Sequence, residues 1–492
     1  MIDELANRIW QNSKFKIEYA NLIDESIKLE LNLNSNTKKI NKESCIRLVK
    51  SLLIFASCEK EFLRKISYNI GVALLNILDR NSEEFDSIVE LIKLAFSRMG
   101  NFVAIDLIKF KNEDIKTHIP RMLWFEEKSY EMNNTINLLS KEVKLTNFQF
   151  RLWKLLNEGK SISLSAPTSS GKSYILKSYM LSVVNQFKNK SYIYIVPTRA
   201  LITQVSQDFI ELIKEYGLEG INIITTPNIE ENMEEHLENN IYILTPERAR
   251  VLYNSKKIKF KVAVVDEAQT IEEMERGLIL QDIVEDIIMY NDDLQLVFIS
   301  PLINNPQILN EIFDRDRAIS LKESESPVSQ NIIGIKSEKS SLEFEILIND
   351  VFHSLGKLKL KNNIENKDNK LAIIAKTVGE ENQNIIYTTG PAKCEKICKS
   401  LIELNEEIKE DEANNDLIEL AKFIEEYIHK DYLLAKCIRN GVAYHYSRIP
   451  SVIKKNIEKF FEQKKIEIYS MYKHVIIWDE FTSKKYIYFR TL

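Results

Sequence analysis

One segment constrains this chain more than any other. Residues 161–184 read SISLSAPTSSGKSYILKSYMLSVV: an apolar, β-rich run, a turn of small residues, then a helical stretch. Backbone N–H groups at a helix start lack intrahelical partners, and the helix dipole is positive there. A strand that ends in such a turn therefore presents an anion site. The turn APTSSGKS comprises Ala166, Pro167, Thr168, Ser169, Ser170, Gly171, Lys172 and Ser173, and its context is that of a phosphate-binding loop. Gly171 lets the backbone approach closely, Lys172 is placed to neutralise β- and γ-phosphates, and Ser173 to ligate Mg²⁺. Ala166 stands where the common pattern has glycine.

The surroundings supply the fold class, which is α/β. Near-continuous apolar runs at 161–166, 191–196, 222–225, 240–244, 262–266 and 296–300 alternate with longer helical stretches. That alternation predicts a parallel sheet buried on both faces, with ligands at the carboxyl ends of its strands. One such end carries a pair of acids, in VAVVDEAQ at 262–269. Asp266 suits a Mg²⁺ ligand, direct or through water, and Glu267 a base for an attacking water. An exposed acidic turn is the alternative. The phosphate loop upstream favours the catalytic reading.

Residues 1–140 carry apolar residues at helical spacing, as in CIRLVKSLLIFA, and predict a helical accessory domain. Residues 141–325 are the first α/β domain. A second, 326–492, has strand candidates NIIGI, LAIIA, NIIYTT and GVAYHY, interrupted by the charged stretch LNEEIKEDEANND. The N-terminus MIDELANRIW has no basic region followed by an apolar core, and no apolar run reaches membrane-span length. Five cysteines in 492 residues suggest reduced thiols and a cytoplasmic protein. Cys394 and Cys398 share a helix face, without a second pair to complete a metal site. A net charge of −5 neither advertises nucleic-acid binding nor excludes it, because a strand can be held by local donors.

Taken in order, these segments resemble the motifs of superfamily 2 DEAD/DEAH-box helicases, over roughly 141–466. APTSSGKS and DEAQ resemble motifs I and II. VPTRALITQ (196–204) resembles motif Ia and TPER (245–248) motif Ib, which touch the nucleic-acid backbone in that family. The resemblance assigns this role to Thr198, Arg199, Thr245 and Arg248. Helix capping and surface pairing are their alternatives. SPL (300–302) resembles motif III, departing from it at two positions. LTNFQFRLW (145–153) resembles the segment whose glutamine reads adenine, which makes Gln149 a candidate; a helix-start glutamine is the bland alternative. GVAYHYSRIPSVIKKNIEKFF (441–461) resembles a stretch of the large superkiller and Lhr-like helicases. There His445 is either functional or a satisfied core histidine.

The resemblance implies a RecA-like first lobe that binds ATP and Mg²⁺, and a second, incomplete RecA-like lobe. It implies a DNA or RNA strand held across both lobes, and no membrane. A helical N-terminal domain of this kind further suggests a protein partner in a repair or antiviral defence system. Motifs V and VI, the second with its arginine finger, have no counterpart here. From Glu467 onward, AT-rich codons read one base along can spell KYIVCTSTLLYGMNLPAKNIYI, which looks like motif V. A truncated, frame-shifted helicase is therefore expected, one that binds nucleotide, hydrolyses it poorly and does not unwind. The competing class is a half-motor that only binds nucleotide, nucleic acid or a partner. A nuclease-bearing motor is disfavoured, since no acid–acid–Lys cluster is present.

Overall fold

The computed structural model describes residues 2–31, 33, 41–80, 82, 84–108, 119–167, 170–227, 239–301, 303–315, 317–324, 331–348, 351–360, 367–379, 383–404, 415–446, 448–472 and 485–487. Two compact units result: Met1–Tyr19 with Ile40–Ser329, and Ala20–Lys39 with Gln330–Leu492.

The N-terminal stretch is helical, as its periodicity predicts: α1 (Ile2–Gln11), α2 (Ser13–Glu30), α3 (Lys42–Ala56), α4 (Glu61–Ile77), α5 (Phe85–Arg98), α6 (Phe102–Asp106) and α7 (Arg121–Asn133). Leu48, Leu52, Phe55, Leu63, Ile70, Val89 and Ile92 turn inward from α3, α4 and α5. Each such side chain contributes about 1.5–3 kcal/mol on leaving water. A hairpin follows, β1 (Thr135–Leu138) with β2 (Lys141–Lys144). Its turn residues Leu139 and Ser140 both have positive φ, 49° and 75°. Two-residue hairpin turns require that conformation, which usually goes to Asn-Gly.

The first α/β unit alternates α8 (Asn147–Asn157), β3 (Ile162–Ser165), α9 (Lys172–Gln186), β4 (Ser191–Ile195), α10 (Arg199–Glu215), β5 (Ile221–Ile224), β6 (Asn239–Leu244), α11 (Pro246–Ser255), β7 (Phe260–Val265), a 3-10 turn (Ala268–Glu272), α12 (Met274–Tyr290), β8 (Gln295–Ser300), α13 (Gln307–Ile312) and β9 (Ile319–Lys322). The seven strands β3–β9 form one sheet in the order β5-β6-β4-β7-β8-β3-β9, every pair parallel. β3 and β8 are buried along their whole length, which is why they read as unbroken apolar runs. After β3 the chain crosses to β4 on the far side of β7 and β8. That reversal is where such sheets open a crevice at the strands' carboxyl ends. All six strand candidates of this region are strands, and Ile319–Lys322 adds a seventh.

In the second unit, β10 (Ile333–Ser337), β11 (Ser341–Ile348) and β12 (Val351–Lys359) make an antiparallel meander. β13 (Asn384–Thr388), β14 (Val442–His445), β15 (Ile468–Tyr472) and β16 (Lys485–Ile487) make a parallel sheet in the order β14-β15-β13-β16. Around it lie α14 (Lys367–Gly379), α15 (Pro391–Leu404), α16 (Asn415–Tyr427), α17 (Leu433–Arg439) and α18 (Ser451–Glu462). One expectation is corrected: LAIIA (371–375) is helical, inside α14. All five side chains are buried there, and a fully buried helix turn has the same unbroken apolar signature as a buried strand. NIIGI lies at the start of an antiparallel strand rather than a parallel one. Of the charged stretch 404–416, residues 405–414 lie outside the described residues. So do most of those after Tyr472, while Ile468–Tyr472 itself pairs with both β13 and β14.

Candidate functional site

The sheet sets five loops in a row along one edge. In order they follow β6 (Thr245), β4 (Thr198), β7 (Asp266), β8 (Ser300) and β3 (Ala166 onward). Neighbouring strands lie about 4.8 Å apart, so the acids and the loop after β3 are roughly 10 Å apart at the backbone.

In the loop after β3, Ala166 N–H donates to the Ser300 carbonyl at 3.3 Å, tying the loop to the end of β8. The Ser170 hydroxyl and N–H both donate back to the Pro167 carbonyl, at 2.8 and 3.1 Å. Gly171 is the cap of α9 and has φ 74°, the left-handed region that favours glycine. Lys172 opens the helix and is 1% exposed, its ammonium donating to the Ala166 and Pro167 carbonyls at 3.3 and 3.4 Å. Among the described residues those carbonyls are its acceptors, so a buried cation faces its own loop with long, weak bonds. That arrangement fits an anion in the loop, since a buried charge calls for a stronger partner than a neutral carbonyl. Ser173 follows on the first turn of α9. Thr168 and Ser169 lie outside the described residues.

Gln149 reaches this loop from α8. Thr146 and Gln149 form a reciprocal capping box: the Thr146 hydroxyl accepts from Gln149 N–H at 3.2 Å, and the Gln149 side-chain oxygen accepts from Thr146 N–H at 3.0 Å. The Gln149 amide nitrogen donates to the Ser170 carbonyl at 3.1 Å. Both ends of its amide are thus engaged within the protein.

Asp266 directly follows β7 and is buried. Tyr194 Oη donates to its Oδ2 at 3.1 Å and Glu267 N–H to its Oδ1 at 2.9 Å. Its own N–H donates to the Ile195 carbonyl. Glu267 has φ 51° and ψ 45°, a conformation uncommon for a residue with a Cβ. The two carboxylates have different partners. Asp266 stays among the strand ends, while Glu267 is half-buried beside Gln269, which donates to it.

Farther along the edge, Thr198 caps α10 and accepts from Leu201 N–H at 3.4 Å; Thr245 caps α11 and accepts from Arg248 N–H at 3.4 Å. Both threonines therefore do the capping work that was their alternative reading. They also set two helix N-termini side by side at the ends of the adjacent strands β4 and β6. Arg199 is exposed. Arg248 is anchored by a 2.7 Å bond from its guanidinium to the Thr225 carbonyl. Of the segment like motif III, Ser300 donates to the Leu164 carbonyl at 3.0 Å, and Leu302 lies outside the described residues.

In the second unit His445 is 1% exposed, with Nε2 3.1 Å from a Glu458 carboxylate oxygen. Cys394, Cys398 and Cys437 are buried in the core, and burial pushes the Cys394 and Cys398 thiols up. Among the described residues no group of three His, Cys, Asp or Glu could hold a metal ion. Sequence reading missed Tyr194, whose hydroxyl meets Asp266 from the neighbouring strand. Only strand register could have found it.

A seven-stranded parallel sheet with the Ala166–Gly171 loop leading from β3 into α9 and paired acids after β7 is a RecA-like lobe. The sequence profile of the DEAD/DEAH box helicase family matches residues 146–307, the stretch from the start of α8 to the residues beyond β8. This stretch of the chain is therefore similar to the helicase domain of that family. It is similar to the ATP-dependent DNA helicase Hel308 of Methanococcus vannielii, 27% identical over 364 residues, covering 68% of this chain and 45% of the relative. The DExH-box ATP-dependent RNA helicase DExH9 of Arabidopsis thaliana is 29% identical over 164 residues, 33% of this chain and 15% of its own. Among solved structures, the DUF1998 helicase MrfA bound to DNA aligns with a TM-score of 0.45 at 15% identity. That alignment covers 67% of this chain and 42% of that one. The chain spans less than half the length of the curated relatives it matches.

Proposed function

We propose that this chain is the ATP-driven part of a nucleic-acid helicase or translocase, with nucleotide at the ends of β3 and β7 and a strand at the ends of β4 and β6. One observation carries the reading: five strand ends in a row present, in order, two helix N-termini, two acids, a serine and a phosphate loop. The loop of Ala166–Ser173 holds the phosphates through its N–H groups, and the Lys172 ammonium turns from its carbonyls to the β- and γ-oxygens. Ser173 and Asp266 would hold Mg²⁺, which when bound offsets charge on those oxygens. Glu267 takes the proton of a water as its oxygen bonds to the γ-phosphorus and the bond to the ADP oxygen breaks. Gln149 reads adenine by exchanging one of its protein bonds for the base edge. Thr198, Arg199, Thr245 and Arg248 meet phosphates of the strand, with the N-termini of α10 and α11 behind them.

Hel308 is named a DNA helicase and DExH9 an RNA helicase, so both acids belong in the test. With the reading go a cytoplasmic workplace and a repair or antiviral defence system that supplies a protein partner. No helix among the described residues is long and apolar enough to cross a membrane. The test is binding of a fluorescent ATP analogue and release of phosphate, with and without single-stranded DNA or RNA. Nucleotide binding that K172A abolishes, with slow hydrolysis that DNA or RNA raises and no unwinding, is the expected result. Binding without turnover selects the alternative, a module that holds nucleotide and nucleic acid or a partner. A folded chain that binds no nucleotide overturns both.

A further inference from the structure

Helix α12 starts at Met274, directly after the 3-10 turn that follows the two acids. Its first residues touch three of the five loops. Gly277 sits so close to the acidic turn that a Cβ on it would lie 2.1 Å from the Ile271 carbonyl oxygen. Helix and turn are therefore in backbone contact, and neither can shift alone. One residue earlier, Arg276 Nη2 donates to the Pro197 carbonyl at 2.9 Å, immediately before Thr198. Arg276 Nε donates to Glu247 Oε1 at 3.4 Å, on the first turn of the helix that Thr245 caps. The remaining nitrogen, Nη1, is 4.0 Å from the Glu273 carboxylate. Burial pushes the Glu247 carboxyl up, but the Thr245 hydroxyl and the Arg276 guanidinium outweigh it and hold it low. An exposed ion pair by itself contributes little. A guanidinium that also spends a donor on the backbone of a loop 79 residues away in the chain fixes where that loop stands.

We propose that Arg276 is a positioning residue that links the nucleotide site to the strand-binding edge. Movement of the acidic turn carries the start of α12 through the Gly277 contact. Arg276 passes it to the loops that present Thr198 and Thr245. The proposal rests on the helicase reading above.

The test measures linkage in the full chain. A labelled single-stranded oligodeoxynucleotide and, in parallel, an oligoribonucleotide are titrated with and without a non-hydrolysable ATP analogue and Mg²⁺. The ratio of the two Kd values is the linkage, about 5–150-fold in coupled systems. Arg276 is half exposed, so Arg276→Ala should keep the wild-type thermal transition. Its linkage is expected to fall to about one while Kd for the analogue alone changes less than about twofold, since a residue outside the loop adds no uniform binding. Glu247→Gln keeps the Pro197 contact and should give an intermediate ratio. A purely structural role would move neither ratio. Undiminished linkage in Arg276→Ala, or a wild type that binds both ligands without linkage, overturns this proposal and leaves the helicase reading standing. A wild type that binds neither ligand overturns both.

Discussion

The Gln149 amide donates to the Ser170 carbonyl at 3.1 Å, while its oxygen accepts from Thr146 N–H at 3.0 Å. One side chain thus closes the start of α8 and steadies the end of the phosphate loop. The two bonds can be separated. Gln149→Glu keeps an oxygen for the capping box and replaces the donor with a second acceptor facing a carbonyl. Thermal stability should stay near wild type, with nucleotide affinity reduced. Gln149→Ala loses both bonds and should also lower stability by about 1 kcal/mol. Thermal melts beside nucleotide titrations check the split; equal affinity in wild type and Gln149→Glu would disprove it.

Lys172 and Glu267 should fail differently. Lys172→Ala removes the buried ammonium of the loop, and nucleotide binding should fall with hydrolysis by about 10²-fold or more. Glu267→Gln preserves shape and Asp266, so binding should persist while hydrolysis drops about 10²–10⁴-fold, the range of a lost general base. Single-turnover phosphate release beside equilibrium titration separates the two. If Glu267→Gln hydrolysed ATP at the wild-type rate, another base would have to be sought.

Arg199 is exposed and Arg248 is anchored to the Thr225 carbonyl, so their removal should also differ. Arg199→Ala should weaken oligonucleotide binding evenly across sequences and reduce the salt slope by about one, with stability unchanged. Thr245→Val removes the cap of α11 and should cost about 1 kcal/mol of stability as well. Affinities at several salt concentrations check the first expectation and thermal melts the second. A salt slope unmoved by Arg199→Ala would take that side chain off the strand path.

The first lobe was legible because its central strands, β3, β4, β6, β7 and β8, are largely buried and each leads into a loop with a distinctive residue pattern. Ala166–Ser173 and Asp266–Glu267 announce themselves by residue type. The second unit was harder to read. LAIIA satisfies the pattern of a buried strand and of a buried helix equally, and only its length in the fold, Lys367–Gly379, decides. In β11, residues Ser341–Ile348 alternate half-buried and buried, a period-two signal that was present but lacked the turn glycines that mark hairpins. Gln149, Arg276 and Tyr194 act through partners far away in the chain. Residue type could nominate Gln149, but only the register of β4 against β7 brings Tyr194 to Asp266.

Acid stability offers a test away from the site. Arg47 donates to both Glu18 oxygens, from Nε at 3.2 Å to each and from Nη2 at 2.6 Å to one, joining α3 to α2. The Arg47 hydrogen bonds hold the Glu18 carboxyl below its ordinary range, against a smaller upward push from burial. The folded-state pKa is thus the lower one, so the unfolded chain takes up the proton first as pH falls. The stabilisation is present at neutral pH and is lost as pH drops below about 4.5 and through the depressed folded value. Arg47→Met removes the donor. Its melting temperature should lie below wild type at pH 7, and the two curves should converge in acid. Parallel curves across that window would mean the pair does not govern acid stability.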